Sequence, residues 1–436
     1  MHILFVDSNA ASLEALRCAK EAGHRVGYVQ SHTPYYRLGE RERELIGLAD
    51  WFRDGVVTTD ASAVAEVIAE CHAEHPVDFV STHFDLTVEA VALACEKVGV
   101  PGPASGPALT ARRKDLCRRA LAAAGLPSAR FATADSTAGA LVAAGEVGYP
   151  VVIKPPSGAD SALSFVAHTE EEARAAADQV LHRLDSVPEL WREQYSRGVL
   201  VEELLVGPLV SVEIGVRGEE FFPFSVSGRT RSADDQVIEL GAHIPEPLGA
   251  RERDECVAYA RQVCRAVGLD RGIFHLEMIR TERGPVLVEA NARIMGGVMP
   301  ALYRHATGRS IYTAYLELLS GAPVTVPEAT GVAMSRRLLA RRAGVLPDRL
   351  DVAWLEEYGD ALVRYDTFAQ FGVGPGSEVA AGASLGRVML LGRDHAEVSA
   401  AVREITGRFE RMLGLPLMPG ENDPERSDHW NITSTM

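Results

Sequence analysis

The stretch that decides the fold is residues 272–297, which read GIFHLEMIRTERGPVLVEANARIMGG. Apolar and polar side chains alternate on both sides of Glu282-Arg283-Gly284, and this period of two predicts a pair of strands. The sequence Glu282-Arg283-Gly284 fits a three-residue hairpin loop whose glycine takes the left-handed conformation. The residue pairs that follow from this loop are Thr281 with Pro285, Ile279 with Leu287, and Glu277 with Glu289.

Two glutamates, Glu277 and Glu289, are therefore expected to lie opposite each other, with Asn291 pointing to the same face. Like charges in such positions destabilise a sheet. A magnesium ion removes the repulsion, because Mg²⁺ prefers carboxylate and amide oxygens together with phosphate oxygens. Spacing alone leaves two interpretations open: a magnesium site, or two glutamates on a solvated sheet face.

The composition of the 436 residues is that of a globular protein, with 47% hydrophobic and 24% charged residues. At about 100–200 residues per domain, the length predicts roughly two to four domains. The formal net charge of −16 disfavours nucleic acid and anionic membranes as partners, so a nucleotide site needs local cations. The start MHILFVD does not look like a signal peptide, and no apolar run reaches about 18 residues. We therefore expect a cytoplasmic protein.

Lysine is rare in this chain, because only four of the 44 basic residues are lysines. A lysine that persists against such a bias is a candidate for a specific role, since ammonium and guanidinium groups are not interchangeable. Lys114 lies in the basic start of a helix predicted over 110–125, and Lys154 ends the apolar strand VVIK. For either lysine alone, a surface charge is the open alternative, although the apolar strand disfavours it for Lys154.

The order of predicted elements indicates a mixed α/β and α+β protein of several domains. Alternating strands and helices over 1–105 predict a Rossmann-like domain with a parallel sheet. The segment PGPASGP (101–107) marks the first boundary. A second domain is expected over 106–325, with a smaller part at about 130–205, and an α+β domain over 326–420. Residues 421–436 are expected to form a flexible tail.

The hairpin and the residues after it resemble the ATP-grasp superfamily. The pattern Glu277, then Glu289-x-Asn291-x-Arg293, then a glycine pair, is similar to the family's metal-binding and catalytic strands. The resemblance implies an ATP-grasp fold of two subdomains, preceded by the α/β domain. It also implies that Glu277, Glu289 and Asn291 bind Mg²⁺, with two ions expected and Mn²⁺ as an alternative. Arg293 would contact the transferred group or a substrate carboxylate.

Other segments resemble the nucleotide site of the same family, in the same order along residues 1–320. RRKDLCRRALAAAGLP and YPVVIKPPSG carry Lys114 and Lys154 at the phosphate-binding positions. The loop that follows, SGADSA (157–162), resembles the family's phosphate loop. VLVEELLVG resembles the adenine-binding hinge, with Leu209 where many relatives have a ribose-binding glutamate; Glu213 is a possible substitute. The nucleotide-binding residues that the resemblance implies are Lys114, Lys154, Ser157, Gly158, Ser161, Glu202, Glu203 and Leu205.

The segment VIELGAHIPEPL (237–248) resembles the pattern E-x-G-H-x-x-P of the L-amino-acid ligase branch, as does the small C-terminal domain. The resemblance makes His243 a candidate for binding or deprotonating the amine. A hydrogen-bonded loop histidine is the equally open alternative. His83-Phe84-Asp85 follows a strand of the first domain and is a further candidate for substrate contact. Four arginines either bind a substrate carboxylate or form solvated faces: Arg336, Arg337, Arg341 and Arg342.

The resemblance implies an ATP-dependent ligase that joins a carboxylate, such as an amino acid, to an amine through an acyl phosphate. One alternative is a carboxylase-like or purine-pathway ATP-grasp enzyme with another nucleophile. Another is a nucleotide-binding protein without catalysis, because the phosphate loop and the ribose position depart from the pattern. The expected partners are small-molecule substrates, and a homodimer is the default assembly. The sequence does not identify the substrate pair.

Overall fold

The first part of the chain in this computed structural model forms a parallel α/β layer. The structure describes residues 1–32, 38–158, 162–187, 189 and 192–421. The elements of the first part are β1 (His2–Val6), α1 (Glu14–Glu21), β2 (Arg25–Ser31), α2 (Glu40–Ile46), β3 (Trp51–Val56), α3 (Ala61–Glu74), β4 (Phe79–Ser81) and α4 (Val88–Val98). The strand order is β3-β2-β1-β4, and all neighbours run parallel. The prediction of a parallel first sheet is confirmed.

A second, antiparallel sheet follows a pair of helices. The elements are α5 (Ser105–Arg112), α6 (Lys114–Ala123), β5 (Phe131–Ala134), α7 (Thr137–Val147), β6 (Val151–Lys154), β7 (Phe165–Ala167), α8 (Glu170–His182), α9 (Arg192–Tyr195) and β8 (Val199–Glu203). The strand order is β5-β8-β6-β7, and alanines and valines of α7 and α8 fill the core against it. The single helix predicted over 110–125 is wrong, because Arg113 takes an extended conformation and separates α5 from α6.

The third part of the chain carries the hairpin. Its elements are β9 (Leu209–Arg217), β10 (Glu220–Arg231), β11 (Glu239–Ile244), α10 (Ala250–Val267), β12 (Arg271–Thr281), β13 (Gly284–Asn291), α11 (Met299–Thr307) and α12 (Ile311–Ser320). Strands β13, β12, β9 and β10 are neighbours in that order. The apolar face of the hairpin packs on α10, where Leu276, Met278 and Leu287 are fully buried with Tyr259 and Val263. The opposite face of the hairpin carries the polar side chains.

The C-terminal part is an α+β layer. Its elements are β14 (Val332–Leu339), β15 (Gly344–Val345), β16 (Leu362–Asp366), β17 (Glu378–Val379), β18 (Ser384–Gly392) and α13 (His395–Leu413). Strands β10, β11, β14, β18 and β16 are neighbours in that order, and β15 pairs with β17. Helix α13 covers one face of this sheet through Val398, Val402, Ile405 and Phe409. Short 3₁₀ helices lie at Asp85–Thr87, Leu184–Ser186, Ala353–Ala361 and Phe368–Phe371.

The chain divides into two compact units. Unit 1 consists of Met1–Val226, Leu248–Pro300 and Ser310–Pro327. Unit 2 consists of Ser227–Pro247, Ala301–Arg309 and the described residues from Glu328 onward. The segment with His243 therefore folds with the C-terminal part of the chain. Apart from Glu421, the tail predicted over 421–436 lies outside the described residues.

Among the helices of the described residues, none combines the length and the apolar character that a membrane crossing requires.

Candidate active site

The two glutamates of the hairpin lie opposite each other, as predicted, because Glu277 is the register partner of Glu289. The turn that leads to this pairing differs from the predicted turn. Only Glu282 and Arg283 form the turn, and Thr281 pairs with Gly284. The predicted pairs Thr281 with Pro285 and Ile279 with Leu287 are therefore wrong.

A β-bulge at Val288 restores the opposition of the two glutamates. The register shifts between Glu277 and Met278, and Val288 is the residue left without a partner. The shift turns Leu287 into the apolar core, and the Leu287 backbone N–H donates to the Tyr259 hydroxyl at 3.0 Å. The backbone carbonyl of Val288 accepts from the buried Arg118 guanidinium at 2.7 Å. Side chains of α10 and α6 thus satisfy backbone groups at the bulge.

A buried histidine links the hairpin to the neighbouring strand. His275 lies opposite Asn291 on β13 and opposite Glu213 on β9. Its Nδ1 lies 2.6 Å from Glu213 Oε1, and its Nε2 lies 2.9 Å from Glu277 Oε1. Burial alone would lower the pKa of His275, but Glu213 and Glu277 outweigh it and raise this pKa to about 9. A cationic imidazole therefore holds the Glu277 carboxylate in place.

Lys114 pairs with the other glutamate. It is the first residue of α6, and its Nζ lies 2.9 Å from Glu289 Oε1. The Lys114 backbone N–H donates to the Pro156 carbonyl at 2.9 Å, which ties the start of α6 to the predicted phosphate loop. The extended conformation of Arg113 makes this connection possible, since a continuous helix would direct the Lys114 N–H to its own chain.

Lys154 and Arg118 share one carboxylate inside unit 1. Glu202 on β8 accepts from Arg118 Nε at 2.8 Å and pairs with Lys154 Nζ at 2.6 Å. All three side chains are buried. Burial alone would raise the pKa of Glu202, but Arg118 and Lys154 outweigh it and lower this pKa to about 2. Burial also lowers the pKa of Lys154. The second expected phosphate-binding lysine therefore lies beside the hinge glutamate.

The Arg293 side chain contacts a residue of the first domain. Its guanidinium donates to the carboxylate of Asp85, which also lies 3.7 Å from Arg112. Burial alone would raise the pKa of Asp85, but Arg293 and Arg112 outweigh it and lower this pKa. Arg112 in turn donates to the Gly158 carbonyl at 3.1 Å and so connects Asp85 to the phosphate loop. Asp85 of the segment His83-Phe84-Asp85 thus contacts Arg293, and the predicted contact of this segment with substrate stays a prediction.

The hinge segment is anchored by charged side chains. The carboxylate of Glu203 accepts from Arg130 at 3.1 Å and from Arg283 at 2.9 Å. Leu209, at the expected ribose position, is buried and pairs with Ile279 on β12. Glu213 is fully buried against His275, so the carboxylate considered as a substitute lies on the hairpin face.

The phosphate loop is described in part. Ser157 and Gly158 are buried, and a Cβ at Gly158 would lie 3.1 Å from the ring of Tyr195. Ser161 lies outside the described residues, and its predicted role stays a prediction.

His243 lies in unit 2, on the face of β11 that α13 covers. It pairs with Met334 of the C-terminal core, and its ring packs edge-on against His395 at a centroid distance of 4.7 Å. Its Nε2 contacts the carboxylate of Glu246. Gly228 leaves room for this pair, since a Cβ there would meet the ring Nε2 at 2.0 Å. The amine-binding role of His243 stays a prediction.

The oxygen donors on the hairpin suit a magnesium ion whose remaining ligands are phosphate oxygens. Glu277 and Glu289 offer carboxylate oxygens and Asn291 an amide oxygen, all on one sheet face. In the described part of the chain, no cluster of three or more His, Cys, Asp or Glu side chains could hold a metal. Mg²⁺ does not need such a cluster, because one or two carboxylates, waters and substrate phosphates complete its shell.

Sequence reasoning missed three residues of this site: Arg118, Glu213 as a partner of His275, and His275 itself. Arg118 stands in the quoted segment RRKDLCRRALAAAGLP, but its partner Glu202 lies 84 positions later. The partner of His275 lies 62 positions earlier. The available signal for His275 was its position two residues before Glu277, which places both side chains on the same strand face.

Comparison with known proteins finds a family similarity over part of the chain. Residues 147–301 match the family model of the ATP-grasp domain. Dapdiamide A synthase of Enterobacter agglomerans is 32% identical over 170 residues, which are 38% of this chain and 38% of that protein. Alanine–anticapsin ligase of Bacillus subtilis is 24% identical over 269 residues, which are 59% of this chain and 57% of that protein. The chain thus spans less than two thirds of the length of these relatives.

A solved structure extends the likeness to nearly the whole chain. The crystal structure of L-amino acid ligase from Bacillus licheniformis superposes with a TM-score of 0.75. The superposition covers 95% of this chain and 98% of that chain, at 18% sequence identity. At this identity the likeness establishes the mixed α/β multidomain fold and carries no information on substrates.

Proposed function

Because this chain contains an ATP-grasp domain, we propose that it is an ATP-dependent ligase that joins a carboxylate to an amine. The products would be an amide or peptide bond, ADP and phosphate. The observation that carries the proposal is the opposition of Glu277 and Glu289, with Lys114 and Arg293 held in the same unit. Two carboxylates, an ammonium and a guanidinium are the groups that phosphoryl transfer to a carboxylate requires.

The proposed reaction has two steps. A carboxylate oxygen of the first substrate attacks the γ-phosphorus of ATP, the bond to the bridging oxygen breaks, and ADP leaves. The amine nitrogen of the second substrate then attacks the acyl carbon, phosphate leaves, and the nitrogen loses a proton. Bound Mg²⁺ would neutralise charge on the phosphate oxygens, with Glu277, Glu289 and Asn291 as its protein ligands.

The chain's own residues would position the reactants. Lys114 and Lys154 bring two ammonium groups to phosphate oxygens, next to Glu289 and Glu202 respectively. Arg293 would bind the carboxylate or the transferred phosphoryl group with its planar guanidinium. Asp85 and Arg112 hold Arg293 by an ion-pair chain that ends at Gly158. The phosphate loop and the Arg293 side chain are thereby linked.

The nucleotide is proposed to lie along β8 and the loop after β6. Glu203 and Leu205 would offer backbone groups to adenine, and Ser157, Gly158 and Ser161 would surround the phosphates. The side chain of Glu202 already accepts from Arg118 and Lys154, so adenine binding at this residue is proposed for its backbone. His243 is proposed to act on the amine, and the protein is proposed to act in the cytoplasm on small-molecule substrates.

The experiment that tests the function measures phosphate release with ATP and Mg²⁺ across a panel of amino acids and amines. We expect release only when a carboxylate and an amine are both present, and a product with the mass of acid plus amine minus water. Phosphate release that never depends on a carboxylate would contradict the ligase proposal. Release that depends on bicarbonate would instead favour a carboxylase-like reaction.

A further inference from the structure

The four arginines whose role the sequence left open have different surroundings in the structure. Arg341 forms a bidentate pair with Asp234 at 2.7 and 2.8 Å, and Arg342 is exposed. Arg336 points to the α13 side of β14 and donates to the Met418 carbonyl. Arg337 points to the opposite face, where its Nη1 donates to the Glu239 backbone carbonyl at 3.3 Å. Of the four, Arg337 is thus the candidate for binding an anion.

Arg337 lies directly opposite a second arginine. It is the register partner of Arg387 on β18, so both guanidinium groups extend from the same sheet face. Directly opposed residues have Cβ atoms about 4.5–5.5 Å apart, and like charges there are destabilising. The repulsion between Arg337 and Arg387 needs a negative charge to offset it.

The nearby acids offset only part of this charge. Asp366 on β16 is the register partner of Arg387, but its carboxylate lies 3.7 Å from Arg387 and 2.6 Å from Arg364. The carboxylate of Glu239 pairs with Arg229 at 3.3 Å. Within the described ranges, no carboxylate oxygen lies within 4.0 Å of Arg337, whose Nε is buried without a hydrogen-bond partner. Arg364 and Arg387 thus share one aspartate, and Arg337 has no carboxylate as close as theirs within the described ranges.

Burial makes the unbalanced charge costly. The side chain of Arg387 is 24% exposed, and that of Asp366 is 8% exposed. Burial lowers the pKa of Arg387, and the neighbouring Arg337 and Arg364 lower it further, against the opposing effect of Asp366. A partly dehydrated pair of guanidinium groups offers up to four parallel N–H donors to an oxyanion, which is the arrangement that binds carboxylate or phosphate well.

We propose that Arg337 and Arg387 form a binding site for a small oxyanion in unit 2. The chemistry shared by its ligands is a pair of negatively charged oxygens, which a carboxylate or inorganic phosphate supplies. Asp366 lies closer to Arg364 than to Arg387, so it offsets the charge of Arg387 only in part. The proposed metal ligands, by contrast, all belong to unit 1.

The test is a set of thermal melts of the full chain at constant ionic strength, with no nucleotide present. Sodium chloride is replaced stepwise by acetate, by succinate or by phosphate. For the wild-type protein we expect a saturable rise of the melting temperature with at least one of these anions. Succinate or acetate as the better ligand would identify a carboxylate site, and phosphate as the better ligand would identify a phosphate site.

Two variants and a control decide whether this pair of arginines is responsible. Arg387→Gln and Arg337→Gln should each weaken the anion affinity by about 10- to 100-fold, as expected for the loss of charged hydrogen bonds. Each should melt no lower than the wild type in chloride alone, because the repulsion is gone. Arg393→Gln, whose side chain is 87% exposed, should behave as the wild type does.

Two outcomes would overturn the proposal. One is a wild-type protein that no tested anion stabilises. The other is an anion effect that persists in both arginine variants, which would place the anion elsewhere. Because neither measurement uses ATP or turnover, a failed ligase assay leaves this test unaffected.

Discussion

At the scale of single residues, the polar face of the hairpin holds three acids and two bases. Glu213 and Glu277 both contact His275, and Lys114 contacts Glu289. A divalent cation beside Glu277 and Glu289 would add to the attraction that His275, Lys114 and Arg293 already provide. Glu213 is fully buried, so its charge acts through His275 on the orientation of Glu277.

Replacing Glu213 tests whether this residue orients Glu277 through His275. In Glu213→Gln the imidazole loses its charged partner and holds Glu277 less firmly. We expect the apparent Mg²⁺ affinity, measured as the Mg²⁺ dependence of ADP binding, to fall by about 10- to 100-fold. ADP binding without Mg²⁺ should stay unchanged. Glu219→Gln, at a side chain that is 93% exposed, is the control. Unchanged Mg²⁺ dependence in Glu213→Gln would mean that His275 only fills the core.

The sequence predicted the opposed pair Glu277 and Glu289 because period two and a glycine-containing turn are local signals. It did not predict the bulge at Val288, because Tyr259 and Arg118, which satisfy its backbone groups, lie far away along the chain. The predicted three-residue loop gave the correct opposition through an incorrect register. A bulge and a shorter turn compensated for each other.

At the scale of elements, Glu202 connects β8 with α6 and β6. Arg118 from α6 and Lys154 from β6 both contact its carboxylate, and Arg118 also reaches the bulge of β13. Removing one partner of a buried ion network leaves uncompensated charge, which costs about 3–5 kcal/mol. The lowered pKa of Glu202, about 2 against 4.5, is consistent with about 3 kcal/mol of stability at neutral pH.

We therefore expect Glu202→Gln to lower the free energy of unfolding by about 3–5 kcal/mol at pH 7 in urea denaturation. The folded pKa lies below the unfolded one, so the contribution of Glu202 is complete above pH 4.5 and disappears as the pH falls through 2. The difference from the wild type should be constant between pH 7 and pH 5.5 and should narrow below pH 4.5.

Glu203→Gln is the matched control, because Glu203 follows Glu202 directly and pairs with the largely exposed Arg130 and Arg283. Its cost should stay within about 1 kcal/mol, as for surface ion pairs. Equal costs for the two variants would show that the buried network contributes nothing beyond an exposed pair. The sequence marked Glu202 and Lys154 as candidates, but it could not show that Arg118 also contacts the Glu202 carboxylate.

At the scale of the whole molecule, unit 2 is assembled from three separate segments of the chain. Glycine- and proline-rich segments of the sequence mark where the chain turns, but they do not show which distant segments fold together. The segment of His243 illustrates this, because it belongs with the C-terminal strands and helix although it precedes the hairpin. Arg387 was missed for the same reason, since its opposition to Arg337 depends on a pairing 50 positions apart in sequence.

The scarcity of lysine, by contrast, was informative about the whole molecule. Both lysines that the sequence singled out, Lys114 and Lys154, are buried in unit 1 beside glutamates. In a chain with a net charge of −16, we propose that these two lysines bind the phosphates of an anionic nucleotide.

The central claim, that Glu277 and Glu289 hold a magnesium ion against the phosphates of a nucleotide, is tested most directly by calorimetric titration of ADP. The titration is run with and without Mg²⁺ on the wild type, on Glu289→Gln and on Glu282→Gln, an exposed turn residue of the same hairpin. We predict that Mg²⁺ tightens ADP binding to the wild type and to Glu282→Gln. In Glu289→Gln this enhancement should fall at least about tenfold, while Mg²⁺-free binding persists. A Glu289→Gln protein that keeps the full wild-type enhancement by Mg²⁺ would contradict the claim.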